Sequence, residues 1–184
     1  MPNKIDYLEE VVLLSEALEK KGFHPVLVGG IALVILGSQR ITKDFDFLVS
    51  MEGLSAENIV EVFYKHGFEL VTKFNEQGEV VRTVDDQSVA AIKLKSDLPH
   101  SLFFFDWKTR LKVDLLLDFP LPAKDLALRA TKVKIKSRTL RVASPEDLLR
   151  LKELAYADRR AAADAQDLEF LNRLLKTQKT KRDS

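Results

Sequence analysis

Between Asp44 and Val49 the chain alternates in a way that few structures satisfy: Phe45, Phe47 and Val49 fall on one side of an extended strand, Asp44, Asp46 and Leu48 on the other. Such a strand buries its aromatic face and gives the other face to charge. Upstream, Val26-Leu27-Val28 is a short β-branched run after Pro25, punctuated by Gly29-Gly30, and Ile31 to Leu36 reads as a buried helix that stops at Gly37. The order is therefore strand, glycine turn, helix, acidic strand.

The remaining elements follow from periodicity. Ile5, Leu8, Val11, Val12, Leu14 and Leu18 recur at helical spacing ahead of Gly22. Ser55 caps a helix running to about His66, with Glu57 and Glu61 in its early turns and Gly67 beyond its end. Segments near Phe68–Val71, Glu79–Val84, Ser88–Leu94 and Leu102–Phe105 read as strands of unassigned pairing. Leu111, Val113, Leu115 and Leu117 alternate with Lys112, Asp114 and Leu116, which sends Asp114 to the face opposite the apolar series. Thr131 to Val142 reads as a hairpin around Ser137. Ser144-Pro145-Glu146-Asp147 is a helix start, with a capping serine, proline at the first helical position and acids in the first turn. A second helix spans Ala161 to Leu175, and the polar Gln178 to Ser184 are expected to fray. These elements predict an α+β fold, a small mixed sheet flanked by helices, with the site on its first two strands. Residues 1–142 form the core, and 143–184 form a C-terminal helical appendage packed on it.

Composition removes several function classes. Twenty-nine lysines and arginines against 28 aspartates and glutamates leave a net charge of +1, so no whole-molecule field gathers nucleic acid and any polyanion contact is local. The absence of cysteine excludes disulfides, thiolate zinc sites and a cysteine nucleophile. His24, His66 and His100 share no ligand spacing. The longest apolar stretch, Val26 to Gly37, is far short of the ~20 residues that span a bilayer, and the amino terminus lacks a secretory pattern. The expectation is a cytoplasmic protein without a membrane partner.

Two aspartates one residue apart on a strand place like charges side by side, an arrangement usually tolerated only with a cation. A divalent ion such as Mg2+, or Mn2+, meets that need through carboxylates, waters and phosphate oxygens. A third acid on an adjacent strand completes the set. Asp114 is the best fit, with Asp106 and Asp118 as competitors, the latter sharing its parity. Gly29 and Gly30 let backbone N–H groups approach an anion at a helix start. Together these parts suit a metal-bound nucleoside triphosphate.

The series Gly29-Gly30, a short helix, Gly37, Arg40, Thr42, then Asp44-x-Asp46 resembles the nucleotidyltransferases of the DNA polymerase beta superfamily, in the branch containing the AbiEii-type abortive-infection toxins. Val113-Asp114-Leu115 resembles the family's later aspartate. Ser144 to Leu148 followed by Lys152 resembles the helix placed after the sheet, and Asp164 and Asp167 resemble the closing Asp-x-x-Asp pair, with Ala163 where that branch has a basic residue. The resemblance implies that Asp44, Asp46 and Asp114 coordinate Mg2+ and that Gly29, Gly30, Arg40, Thr42 and Lys152 serve the nucleotide. It further implies transfer of a nucleoside monophosphate to a tRNA 3′ end, a protein or a small molecule, in a toxin–antitoxin or phage-defence setting with a cognate partner protein.

Plainer readings stand beside these. An isolated Asp-x-Asp is usually a solvated strand edge, Gly37 a helix C-cap, and Lys152 a polar position on an amphipathic helix. A structural role for at least one of Asp164 and Asp167 is simpler than catalysis. Lys132, Lys134 and Lys136 read as edge-strand protection or as an RNA-binding stripe. The basic tail Lys176, Lys179, Lys181 and Arg182 is an ordinary solvated end, and Trp107 with Phe103 to Phe105 reads as core before it reads as a stacking platform. Two other function classes stay open. One is a non-catalytic nucleotide-binding module acting with a partner, and the other is two-metal phosphodiester hydrolysis.

Overall fold

A computed structural model describes residues 6–182. The chain runs α1 (Tyr7–Lys20), β1 (Val26–Val28), α2 (Gly29–Ile35), β2 (Phe45–Val49), α3 (Ala56–Lys65), β3 (Glu69–Phe74), β4 (Val80–Val84), α4 (Gln87–Ser96), β5 (Ser101–Phe105), β6 (Lys112–Leu117), α5 (Ala123–Arg129), β7 (Thr131–Ile135), β8 (Arg138–Val142), α6 (Pro145–Arg159) and α7 (Ala162–Arg182). All eight strands form one mixed sheet in the order β4-β3-β5-β6-β2-β1-β8-β7, larger than the small sheet anticipated. β2 is parallel to β6 and β1 to β8, and the other pairings are antiparallel.

Register explains the core. Phe45 pairs with Val113, Phe47 with Leu115 and Val49 with Leu117, while β5 sets Leu102 opposite Leu115 and Phe104 opposite Val113. Paired residues share a face, and every one of these is buried. The alternation in β2 and β6 thus assembles one continuous apolar surface. α3 covers it, its Phe63 ring stacked on Phe104 at 3.8 Å between centroids. Ser55 Oγ accepts the Glu57 N–H to start that helix, and the positive φ of Gly67 lets the chain turn out of it.

α1 brings Val11, Val12, Leu14 and Leu18 into the same core; Ile5, expected in this helix, lies outside the described residues. Its acids face the β7–β8 hairpin: Lys136 pairs with Asp6 (2.9 Å) and Glu9 (2.5 Å), Arg138 with Glu16, and Arg141 with Glu19. β7 is a sheet edge, and Lys132 and Lys134 are exposed on it, the setting in which lysines discourage strand addition. At α6, Ser144 Oγ accepts the Asp147 N–H, and Arg129 of α5 grips the buried Asp147 carboxylate with two hydrogen bonds of 3.0 and 2.7 Å. Leu148 of α6 and Leu171 of α7 join the common core.

Three elements depart from expectation. Residues 87–96 are the helix α4, not a strand. Asp86 caps it through Val89 N–H, and Ala90 and Leu94 are buried on the side packed against α3, while Val89 and Ile92 stay exposed. β-Branched residues at exposed positions gave the segment its strand-like look. α5 was unanticipated, its seven residues being too few to show a period. α7 continues through Gln178 to Arg182, where fraying was expected; Asp183 and Ser184 lie outside the described residues. Among the described residues no helix is long and apolar enough to cross a membrane.

Removing the Phe63–Phe104 stack tests where the core is centred. Phe104→Ala should cost about 3–5 kcal/mol, read as a lower urea midpoint at unchanged m-value; a loss under about 1 kcal/mol would place the stack outside the cooperative core.

Candidate active site

The parallel pairing of β2 and β6 sets Asp46 directly opposite Asp114 on the face away from the main core. Asp44 precedes the first strand residue and is exposed, whereas Asp46 is half-buried and Asp114 is only 9% exposed. All three sit at the sheet end where β1 finishes and α2 begins, since Val28 pairs with Asp46. The sequence readings of Asp44, Asp46 and Asp114 as one acidic cluster therefore meet in space. Asp118 goes elsewhere: its carboxylate accepts from Ser50 Oγ and from the N–H groups of Met51 and Ala123. Asp106 is taken up in its own turn by Lys108 N–H and Thr109 Oγ.

Gly29 and Gly30 leave room for neighbouring side chains at the start of α2. Gly29 has φ +69°, and a Cβ there would lie 2.8 Å from Cγ of Asp46. At Gly30 it would meet Thr42 Cγ2 at 2.9 Å and Arg40 Cζ at 3.1 Å. The missing side chains thus admit Asp46, Thr42 and Arg40 against the start of α2. Gly37, at φ +103°, closes α2 as a C-cap, with Ser38 N–H bonded to Leu33 O.

Cations from three segments face the acids. Lys112 lies two residues before Asp114 on β6, its Nζ 3.3 Å from Asp44 Oδ2 and 3.5 Å from Asp114 Oδ2. Sequence reasoning missed it, although its shared parity with Asp114 was a usable signal. Arg40, from the segment after α2, and Lys152 of α6 are both held at the site by α7. Arg40 Nη1 meets Asp167 Oδ2 at 2.5 Å, and Lys152 Nζ bridges Asp167 (2.7 Å) and Asp164 (3.1 Å). Arg159 closes the network on Asp164 at 3.0 Å. Asp164 and Asp167 are each 3% exposed and fully engaged in these pairs. Trp107 stands at the same sheet end, 42% exposed, edge-on to Phe105 and donating to Thr83 Oγ1. Phe104 and Phe105 beside it are core.

Burial, then the neighbouring Asp44 charge, pushes the Asp46 carboxyl up to about 6, against the pull of Lys112, Lys152 and Arg40. Burial and the Asp46 charge push Asp114 up to about 7, with Lys112 again opposing. Burial alone would lower the Lys112 ammonium, but Asp114 and Asp44 hold it above the ordinary lysine range.

Would these residues accept a divalent ion? Oδ1 of Asp114 is buried without a hydrogen-bond partner, and a carboxylate oxygen in that state wants a cation or a donor. Three carboxylates offer the hard oxygen donors that Mg2+ or Mn2+ takes. Among the described residues no three acids or histidines are gathered tightly enough to hold a metal by themselves. An ion that arrives on a triphosphate and keeps waters in its shell needs no such cage. The residues fit a cation of that kind.

The family described as "Nucleotidyl transferase AbiEii toxin, Type IV TA system" matches residues 12–183. No curated protein matches the chain. Similar solved structures include an antigenic nucleotidyltransferase-like protein from Paracoccidioides brasiliensis (18% identity, TM-score 0.55, 90% of this chain and 75% of that one). The lincosamide antibiotic adenylyltransferase LnuA with lincomycin bound is another (12%, 0.54, 90% and 96%). So is ANT(2")-Ia in complex with adenylyl-2"-tobramycin (11%, 0.56, 95% and 93%). At such identities the likeness is one of fold.

The raised carboxyls make the ion-free protein sensitive to pH. Both folded values exceed the ~3.9 of an unfolded aspartate, so between about pH 4 and 7 the folded chain binds more protons and these groups' contribution to stability falls as pH rises. In chelator, Asp114→Asn should therefore be more stable than the parent at pH 8, by on the order of 1–3 kcal/mol, with the advantage vanishing near pH 4. Thermal melts across that range check it. A variant less stable at pH 8 would mean that Asp114 is stabilising when charged.

Proposed function

The chain belongs to the AbiEii nucleotidyltransferase family, and on that premise we propose that it moves a nucleoside monophosphate from a nucleoside triphosphate to a hydroxyl or phosphate acceptor. The observation that carries the reading is the in-register pair Asp46 and Asp114, with one buried Asp114 oxygen left unpartnered. A solvated strand edge has no reason to bury acids in register.

In this reading Asp46 and Asp114 hold Mg2+ or Mn2+, with Asp44 at the rim. Such an ion, when bound, stabilises charge on the entering and leaving oxygens. The chain's own contribution is positioning and electrostatics. Arg40 and Lys152, fixed by buried Asp167 and Asp164, present positive charge toward the triphosphate, and Thr42 lies beside them against Gly30. Gly29 and Gly30 give Asp46, Thr42 and Arg40 room against the start of α2, where the phosphates approach. Asp114 stands nearest the attacking acceptor oxygen. That oxygen forms a bond to the α-phosphorus, the α–β bridging bond breaks, pyrophosphate leaves, and the acceptor proton passes to the carboxylate or to water.

The acceptor class is an RNA end, a protein side chain or a small molecule, in the toxin–antitoxin setting the family name describes and in the cytoplasm, with a cognate antitoxin as protein partner. One observation favours a second reading. The Lys112 ammonium between Asp44 and Asp114 is what a non-catalytic nucleotide-binding module of this fold would keep in place of a metal.

Purified protein given α-labelled triphosphates, Mg2+ and RNA should release pyrophosphate and lengthen RNA ends, and Asp46→Asn and Asp114→Asn should each reduce release to background with the circular dichroism spectrum unchanged. Full release by both variants would remove the acids from the reaction. Triphosphate binding by calorimetry without turnover on RNA, protein or small-molecule acceptors would select the module, and RNA fragments would select hydrolysis.

A further inference from the structure

Three cations face the acid cluster, and they are held differently. Lys152 is anchored on Asp164 and Asp167, and Arg40 on Asp167, all through buried carboxylates outside the cluster. The ion-pair partners of Lys112 among the described residues are Asp44 and Asp114, acids of the cluster itself. Its separations, 3.3 and 3.5 Å, are those of one ammonium shared between two carboxylates, and it leaves Asp114 Oδ1 unsatisfied. A single positive charge also fails to balance three acids.

The Lys112 ammonium already lies beside two aromatic rings. Nζ lies 5.7 Å from the Phe74 ring centroid and 5.9 Å from that of Phe103, within the range at which an aromatic face attracts an ammonium. The two rings pack edge to face at 5.2 Å, and the lysine side chain is 19% exposed. A flexible four-carbon stem can release the carboxylates and keep the ring faces without moving the backbone. Carboxylates committed to an ammonium are in turn unavailable to a divalent ion, which draws on the same oxygens.

We propose that Lys112 is the internal counter-cation of this site. Its ammonium holds Asp44 and Asp114 together in the ion-free protein and gives both carboxylates up when a divalent cation enters, keeping its contact with the Phe74 and Phe103 rings. The inference rests on the nucleotidyltransferase reading and deepens it by stating how the cluster passes between ion-free and loaded states. Lys112 is a positioning residue here, acting through the two aspartates.

The test is Mn2+ binding to the chelator-treated full chain without nucleotide, read by the electron paramagnetic resonance of free Mn2+, beside thermal melts with and without the ion. Lys112→Met should bind Mn2+ about tenfold or more tightly than the parent. It should melt lower without the ion, and the deficit should close as Mn2+ saturates. Lys112→Gln, which keeps a hydrogen-bonding head without the charge, provides the same comparison should the methionine variant fold poorly, and Lys112→Arg should restore the ion-free melting temperature. Unchanged or weaker Mn2+ binding by the neutral variants, or a melting deficit that persists at saturation, would make Lys112 a fixed strut and overturn the proposal. If the parent binds no Mn2+, or Asp46→Asn and Asp114→Asn bind it as the parent does, the metal reading of the acids fails and the proposal falls with it. The two failures are distinct because the first is read only where the parent binds through its aspartates.

Discussion

The parallel pairing of β2 with β6 places two carboxylates face to face on neighbouring strands, and the rest of the molecule is arranged around that repulsion. The same register that unites Phe45 with Val113 and Phe47 with Leu115 beneath the sheet forces Asp46 onto Asp114 above it. A slip of one residue would relieve the charges but expose the aromatic face and bury the acids in its place. The hydrophobic core thus enforces an electrostatic arrangement that the acids alone would not choose.

Compensation comes from distant parts of the chain. Lys112 is local, but Arg40 is contributed by the segment after α2 and Lys152 by α6, and neither would stay in place without Asp164 and Asp167 of α7. Removing one member of such a buried network leaves an uncompensated charge and typically destabilises by about 3–5 kcal/mol. The C-terminal helices are therefore part of the electrostatic frame of the site. Leu148 and Leu171, which enter the common core, secure them from the apolar side.

What the sequence made legible was the part encoded in short periods. The alternations of β2 and β6, the capping serines at 55 and 144, and the β7–β8 hairpin around Ser137 each declare themselves within a few residues, and all are observed. The convergence of Asp46 with Asp114 was readable as two strands with matching parity. α4 was not legible, because its buried residues Ala90 and Leu94 are few and its exposed Val89 and Ile92 imitate a strand. Lys112 was hidden for another reason. It looked like one more polar position in an alternating strand, and its partner Asp44 lies just ahead of β2, so only the register of β2 with β6 brings them together. The pair Asp164 and Asp167 read as a helical face, and Asp167 finds its partner Arg40 127 residues away.

The left-handed bend at Gly29 couples two distant positions of the chain. Its vacant Cβ position is filled by the carboxyl end of Asp46, so the two residues share a single volume contributed from α2 and β2. Neither can drift independently: a methyl at position 29 would evict the acid, and a bulkier residue at 46 would spring the bend. Glycine and aspartate here act as a two-part lock in which each half sets the size the other can have.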